Sequence, residues 1–327
     1  MYDRDVQREV LREGEAGNRF TVYEDRPKEY DAWNIDPYYE EKSWILEDIQ
    51  NMQIVENGPV RGGIRIKHRF QNSVIEQTIY FYHHSKRIDF ETVVDWKEQQ
   101  LLLKVAFPVE ICSDKAVYEV QFGNVERPTH KNTSWDEAKF EVCAHKWADL
   151  SECGYGVALL NNCKYGYDIH DSVMRLTLIK SGIFPNPDAD KELHQFTYSC
   201  YPHLGDFREG NVIQEAYDLN CPLTAMPVTG HGNTHYSLIE SDTNHVYIDT
   251  VKRAEDGNDL IIRMYEAYGK RGSFRLHIPA IMDKSAYECD CMEREQGLIA
   301  VKDDWLLCTI KPYEIKTIRI KINELEG

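Results

Sequence analysis

Gly63-Ile64-Arg65-Ile66-Lys67-His68-Arg69-Phe70 sets Ile64, Ile66 and Phe70 on alternate positions, with Arg65, Lys67 and Arg69 between them. A period of two is that of a strand with one buried face. Outward from it the pattern repeats. Ser73–Tyr82 and Arg87–Trp96 alternate with β-branched and aromatic residues, and His83-His84-Ser85-Lys86 makes the turn between them. Leu101–Ile111, Val117–Phe122, Ala138–Ala144, Gly156–Leu160, Val173–Ser181 and His194–Tyr201 read as further strands, punctuated by Gly, Pro, Asn and Asp. The spacing predicts an all-β chain built on a β-sandwich.

Helical periodicity is weak. Residues 36–52 hold one candidate helix, although their apolar residues form no single stripe; Trp33–Tyr39 reads better as an ordered loop tied down by aromatics. Between residues 203 and 240 glycines and prolines cluster and the alternation fades. It resumes in HVYIDTVKRAEDGNDLIIRMYEAYG, where Glu255-Asp256-Gly257-Asn258 marks a hairpin, and in LLCTIKPYEIKTIRIKI, two strands around Pro312. The expected organisation is a large β-sandwich over 1–220, a connector over 221–237, and a smaller C-terminal β-sandwich over 238–327.

Charge narrows the partners. Fifty-five acidic residues against 38 basic ones leave a formal charge of −17. That sign repels phosphate backbones and anionic lipid, so neither nucleic acid nor membrane is an expected partner. A neutral ligand such as a sugar suits it. Nine scattered cysteines without a CxxC pair, and no apolar leader after Met1, predict a cytoplasmic setting.

Most motif chemistry fails on inspection. His231 and His235 have HxxxH spacing, but glycines interrupt the segment and no third ligand follows. No metal site is expected in this chain, and Cys289 and Cys291 read as packed thiols. Gly154-Tyr155-Gly156 lacks the third glycine of a dinucleotide loop, since Leu159 takes its place. Asn132-Thr133-Ser134 matches a glycosylation sequon and reads as a polar loop. No nucleophile sits in a recognisable turn, so no catalytic residue is assigned.

The stretch 145–170, HKWADLSECGYGVALLNNCKYGYDIH, is richer. A short apolar strand, Gly156–Leu160, runs into Asn161, Asn162, Cys163, Lys164, Tyr165, Gly166, Tyr167 and Asp168. Amides, an ammonium, phenols and a carboxylate together suit a sugar, whose hydroxyls take polar groups and whose C–H face takes an aromatic ring. The competing account is an ordinary turn whose tyrosines pack at a domain boundary. Asn162, Lys164, Tyr165, Tyr167 and Asp168 are the candidate substrate-binding residues, expected on an exposed loop.

HKWADLSECGYGVALLNNCKYGYDIHDSVMRLTLIKS resembles the C-terminal β-region of family 38 glycoside hydrolases, the α-mannosidases, in their bacterial and cytosolic branch. So do Pro187–Lys191 with HQFTYSCYPH, the stretch Phe20–Tyr39, and the final blocks VKRAEDGNDLIIRMYEAYG and PYEIKTIRIKI. The resemblance implies a large supersandwich of the galactose-mutarotase-like kind. It also implies a fragment that begins inside that sandwich and lacks the N-terminal catalytic domain. Zinc, the aspartate nucleophile and the acid/base would lie in that domain, and the parent enzyme would act on α-mannosides with retention. Expected partners are the α-mannoside substrate, the protein's own catalytic domain and further copies in a homo-oligomer. The alternative is a free-standing carbohydrate-binding or scaffolding protein.

Overall fold

The computed structural model describes residues 1–229, 235–279, 281 and 284–322. Strands dominate, and the chain divides into two compact units: Met1–Glu119 with Val125–Leu223, and Val120–Asn124 with Thr224–Gly327.

The first unit stacks two antiparallel sheets. In the nine-stranded sheet, Gly123–Pro128, Lys115–Val120, Trp147–Glu152, Tyr155–Asn161, Leu193–Leu204, Ile88–Asp95, Ser73–Tyr82, Arg61–Phe70 and Ile49–Asn57 follow one another as neighbours. The six-stranded sheet runs Val142–Cys143, Gly166–His170, Val173–Ser181, Leu101–Pro108, Arg19–Glu24 and Ser43–Ile45. Alternation decides what lies between them. Ile75, Phe90, Val94 and Tyr198 from one sheet meet Phe20, Val22, Leu103, Val105 and Phe107 from the other in a single core. Phe107 stands 5.6 Å from Phe90 and 6.3 Å from Tyr198, ring centre to ring centre.

Three sequence expectations are corrected. Residues 36–52 form no α-helix. A 3₁₀ turn, Pro37–Glu41, leads into the strands Ser43–Ile45 and Ile49–Asn57. Burial of Tyr39 against Tyr23, at 5.2 Å and nearly edge-on, pins the turn instead of extending it. Of Ala138–Ala144 only Val142–Cys143 is strand. The rest turns Phe140 onto Tyr39 and Glu141 toward Lys104, so its alternation serves side-chain docking and not a ladder. Finally, the stretch after residue 203 contains a helix, Val212–Asn220. It buries Val212, Ile213 and Ala216, a stripe too short to register as a period, and packs on the strands Trp147–Glu152 and Tyr155–Asn161.

The second unit is an eight-stranded antiparallel array: Glu240–Ser241, Gly272–His277, Trp305–Ile310, Glu295–Lys302, Ala286–Cys289, Ile315–Ile320, Leu260–Glu266 and Val246–Arg253. Residues up to Ile299 of Glu295–Lys302 pair with Ala286–Cys289, while Ala300–Lys302 pair with Trp305–Leu307. One strand thereby links both halves around Ile262, Met264, Phe274, Leu276, Leu306 and Ile318. The two strands around Pro312 do not pair with each other; Trp305–Ile310 joins Gly272–His277, and Ile315–Ile320 joins Leu260–Glu266. Among the described residues no helix is long and apolar enough to cross a membrane.

Candidate functional site

The candidate residues do not share one loop. Tyr155–Asn161 ends at a wholly buried Asn161, a four-residue loop follows, and the strand Gly166–His170 begins. Adjacent strand residues face opposite ways. Tyr167 therefore enters the core between the sheets, and Asp168 points to the outer face of the six-stranded sheet. Tyr165, about half exposed, and the exposed Asn162 remain on the loop, with Lys164 half-buried. The expectation of one exposed loop is corrected for Tyr167 and Asp168, which have almost no contact with solvent.

Asn161 organises the loop from below. Its Nδ2 donates to Tyr167 Oη at 2.6 Å and to the His145 carbonyl at 2.7 Å. Its Oδ1 accepts from the Lys164 amide at 2.6 Å. Tyr167 Oη donates onward to the Leu159 carbonyl at 3.2 Å. Burial pushes the Tyr167 phenol far above its ordinary pKa, so it stays a donor. Asn162 extends the neighbouring ladder: its amide donates to Thr197 O at 3.1 Å and its Oδ1 accepts from Thr197 N at 3.0 Å. Lys164 lays its ammonium over the Phe196 ring at 4.6 Å, and burial pulls its pKa down. Tyr165 sets its ring 5.3 Å from that of His145.

On the outer face a closed charge network backs the same strand. Asp168 Oδ2 lies 2.6 Å from Lys104 Nζ and Oδ1 2.7 Å from the Arg175 guanidinium. Lys104 also bonds Glu141 and meets Tyr39 Oη at 3.3 Å. Glu141 reaches Thr177 Oγ1 at 2.5 Å. Gly166 makes this possible, because a Cβ there would collide with the Glu141 carboxylate. Burial opposes both charges, yet Asp168 and Glu141 hold Lys104 well above its usual pKa, and Lys104 and Arg175 hold Asp168 below its own.

Sequence reasoning placed Asn161 in the polar loop without a role of its own, and missed Lys104, Glu141 and Arg175. A lysine in the apolar run Leu101–Pro108 was the available signal, since a buried ammonium requires a carboxylate partner.

Among the described residues, one group has the makings of a metal site. Asp190, Glu192 and His194 bring three ligand-type atoms within 4.8 Å of one another. Both carboxylates are exposed, and His194 Nε2 donates to the Asp190 carbonyl at 2.8 Å, so this open set does not fit a tetrahedral zinc site. His231 lies outside the described residues, so the HxxxH pair cannot be placed.

Known proteins bear on this arrangement. The family model described as "Glycosyl hydrolases family 38 C-terminal domain" matches residues 1–188, and "Glycosyl hydrolases family 38 C-terminal beta sandwich domain" matches 245–318. Alpha-mannosidase 2C1 of Mus musculus is 37% identical over 319 residues, covering 95% of this chain and 31% of its own length. Alpha-mannosidase G of Dictyostelium discoideum is 39% identical over 337 residues, with 99% and 31% covered. The chain thus spans about a third of these relatives. An alpha-mannosidase crystal structure from Enterococcus faecalis V583 superposes with a TM-score of 0.78 at 17% identity, over 97% of this chain and 39% of that one. That likeness is one of fold.

Proposed function

Because this chain belongs to the family of glycosyl hydrolase family 38 C-terminal domains, we propose that it is the C-terminal β-region of an α-mannosidase. In this reading it binds and positions an α-mannoside, and bond breaking falls to the rest of the enzyme. The carrying observation is the match to two models described as C-terminal domains of the family, with 37% identity over 95% of the chain to an α-mannosidase of which it covers 31%.

The loop geometry gives the positioning role its physical basis. Tyr165 offers a half-exposed aromatic face, and Lys164 has a desolvated ammonium one residue away. A stacked ring takes the C–H side of a sugar and the ammonium donates to a hydroxyl. Asn162, with its Oδ1 held by Thr197, keeps the loop against the next strand. Tyr167 and Asp168 fix it from beneath, one in the core and one in the charge network. Preorganisation of this kind keeps contact groups within the tolerance that positioning demands.

The hydrolysis proposed for the whole enzyme is retaining, with a carboxylate attacking the anomeric carbon and water later releasing the sugar. The nucleophile, the acid/base and the zinc that would steady the sugar hydroxyls are assigned to the region outside these residues. Nine unpaired cysteines accord with a cytoplasmic enzyme, and a homo-oligomer is part of the same reading.

The test compares the 327-residue chain with the full-length protein on an aryl α-mannoside with zinc added. Turnover is expected from the full-length protein alone. Turnover by the purified chain would overturn the positioning role. Tight mannoside binding by a chain with no longer parent would favour the free-standing carbohydrate-binding module instead.

A further inference from the structure

The core of the second unit ends in a cavity. Ile318 and Ile320 belong to that core, so Lys316, two residues before Ile318 on the same strand, lies on their side. Glu288 follows the buried Ala286 in the same way on the neighbouring strand. From the other half, Gly272 pairs with the buried Ile310, and paired residues share a face. These four positions line a cavity of about 470 Å³, inside the range of about 300–1,000 Å³ usual for small-molecule sites. Gly272 leaves the space open: a Cβ there would meet no atom within 4 Å, and its φ lies outside the left-handed region.

The charges around it are unevenly matched. Lys316 is 4% exposed, and an ammonium carries three protons. Glu288 accepts one at 2.6 Å and Glu314 lies 3.5 Å away; among the described residues the third has no acceptor. A buried donor left without a partner is costly, and this one lines the cavity. Glu314 is engaged a second time, since its Oε2 accepts from the Lys311 amide at 2.6 Å. Arg271 precedes Gly272 and Lys311 follows Ile310, so the antiparallel pairing brings both cations to one end of the sheet. Among the described residues neither side chain has a carboxylate partner, and both line the cavity. Cations therefore outnumber carboxylates here, in a chain of net charge −17. Exposed charges act over about 10 Å at 0.1 M salt, so this local set governs what enters.

We infer that this cavity binds the phosphate monoester of a sugar. The phosphate sits at the mouth on Arg271 and Lys311, where a guanidinium matches two of its oxygens at once. The hydroxylated ring enters toward Gly272, donating to the Glu288 and Glu314 carboxylates and accepting the remaining Lys316 proton. Two features select this ligand over a neutral sugar. No aromatic side chain lines the cavity, so no ring face is offered for stacking. A neutral ligand would also leave Arg271 and Lys311 without an anion. The site belongs to a different unit from the Tyr165 loop and does not rest on the reading given to that loop.

The 327-residue chain is titrated by calorimetry with glucose 6-phosphate, inorganic phosphate and glucose. Glucose 6-phosphate is expected to bind saturably and about tenfold or more tighter than inorganic phosphate, with glucose giving no heat. Arg271→Gln should weaken that binding by on the order of tenfold to a hundredfold, the scale of one charge-assisted hydrogen bond. Gly272→Phe, which fills the cavity, should abolish it. Lys67→Gln, which removes an exposed charge from the first unit, should leave it unchanged. The melting temperature of each variant is read alongside. Arg271 is exposed, so its variant carries the test even where Gly272→Phe does not fold. Inorganic phosphate bound as tightly as the ester, an adventitious ion only, would overturn the inference. So would the absence of saturable binding, full affinity in folded Arg271→Gln, or an equal loss in Lys67→Gln.

Discussion

Lys104 Nζ lies 2.6 Å from Asp168 Oδ2, and both side chains are sealed from solvent on the outer face of the six-stranded sheet. Sixty-four positions separate them in the chain. The pair changes what Asp168 is expected to do when removed.

On an exposed loop, Asp168→Ala would weaken sugar binding and leave stability alone. In the buried network it strands Lys104 with Glu141 as its remaining carboxylate and takes the nearest anion from Arg175. Removing one partner of a buried pair costs about 3–5 kcal/mol. Asp168→Ala should therefore lower the midpoint of denaturant unfolding strongly, with Asp168→Asn intermediate because it keeps the shape. An unchanged midpoint in both variants would remove the network from the stability of this unit.

Acid should probe the same carboxyl. Burial raises the Asp168 pKa, but Lys104 and Arg175 outweigh it and hold it below the ordinary 3.8. A depressed folded pKa means the unfolded chain takes the proton first, so the stabilisation is complete above that ordinary value and fades as pH falls through the folded one. Wild type and Asp168→Asn should differ most above pH 3.8 and converge in stability below it. A gap that stays constant with pH would count against the assignment.

Tyr165 behaves oppositely, since about half of it faces solvent and its ring meets that of His145 at 5.3 Å outside the core. In the full-length enzyme Tyr165→Ala should lower kcat/KM by on the order of tenfold to a thousandfold, as expected for one to a few lost contacts. Its stability should move by less than about 0.5 kcal/mol. Intact kinetics with a lowered melting temperature would make the loop a structural joint only.

Asn161→Ala should show both effects. Its side chain serves Tyr167 Oη, the His145 carbonyl and the Lys164 amide. Leaving such groups unpaired costs about 1–3 kcal/mol each, and the loop carrying Lys164 and Tyr165 loses its lower anchor. Lower stability together with a fall in kcat/KM is the expected outcome, and Asn161→Asp should rescue the amide contact in part. Normal kinetics in a destabilised Asn161→Ala protein would separate the anchor from the site.

The strands were legible because alternation over eight to ten residues is hard to produce otherwise; Arg61–Phe70, Ser73–Tyr82 and Val173–Ser181 emerge where the pattern puts them. Short or exceptional pieces were not. Val212–Asn220 buries too few residues to announce a helix, and Phe140 and Glu141 alternate in order to dock. Within the candidate site, the mixture of residue types at 161–168 was visible, but the division into loop and strand was not.

Composition and period by themselves determined that this protein is built of strands, that its surface is acidic and that the region around Asn162 to Asp168 carries unusual polarity. A side-chain period of two also dictates that Tyr167 and Asp168 part to opposite faces once a strand forms there. Only the tertiary structure decided where that strand begins and which partners each face meets. Lys104, Glu141 and Arg175 arrive from three separate segments, and a charge is tolerable in the interior only where such partners converge on it.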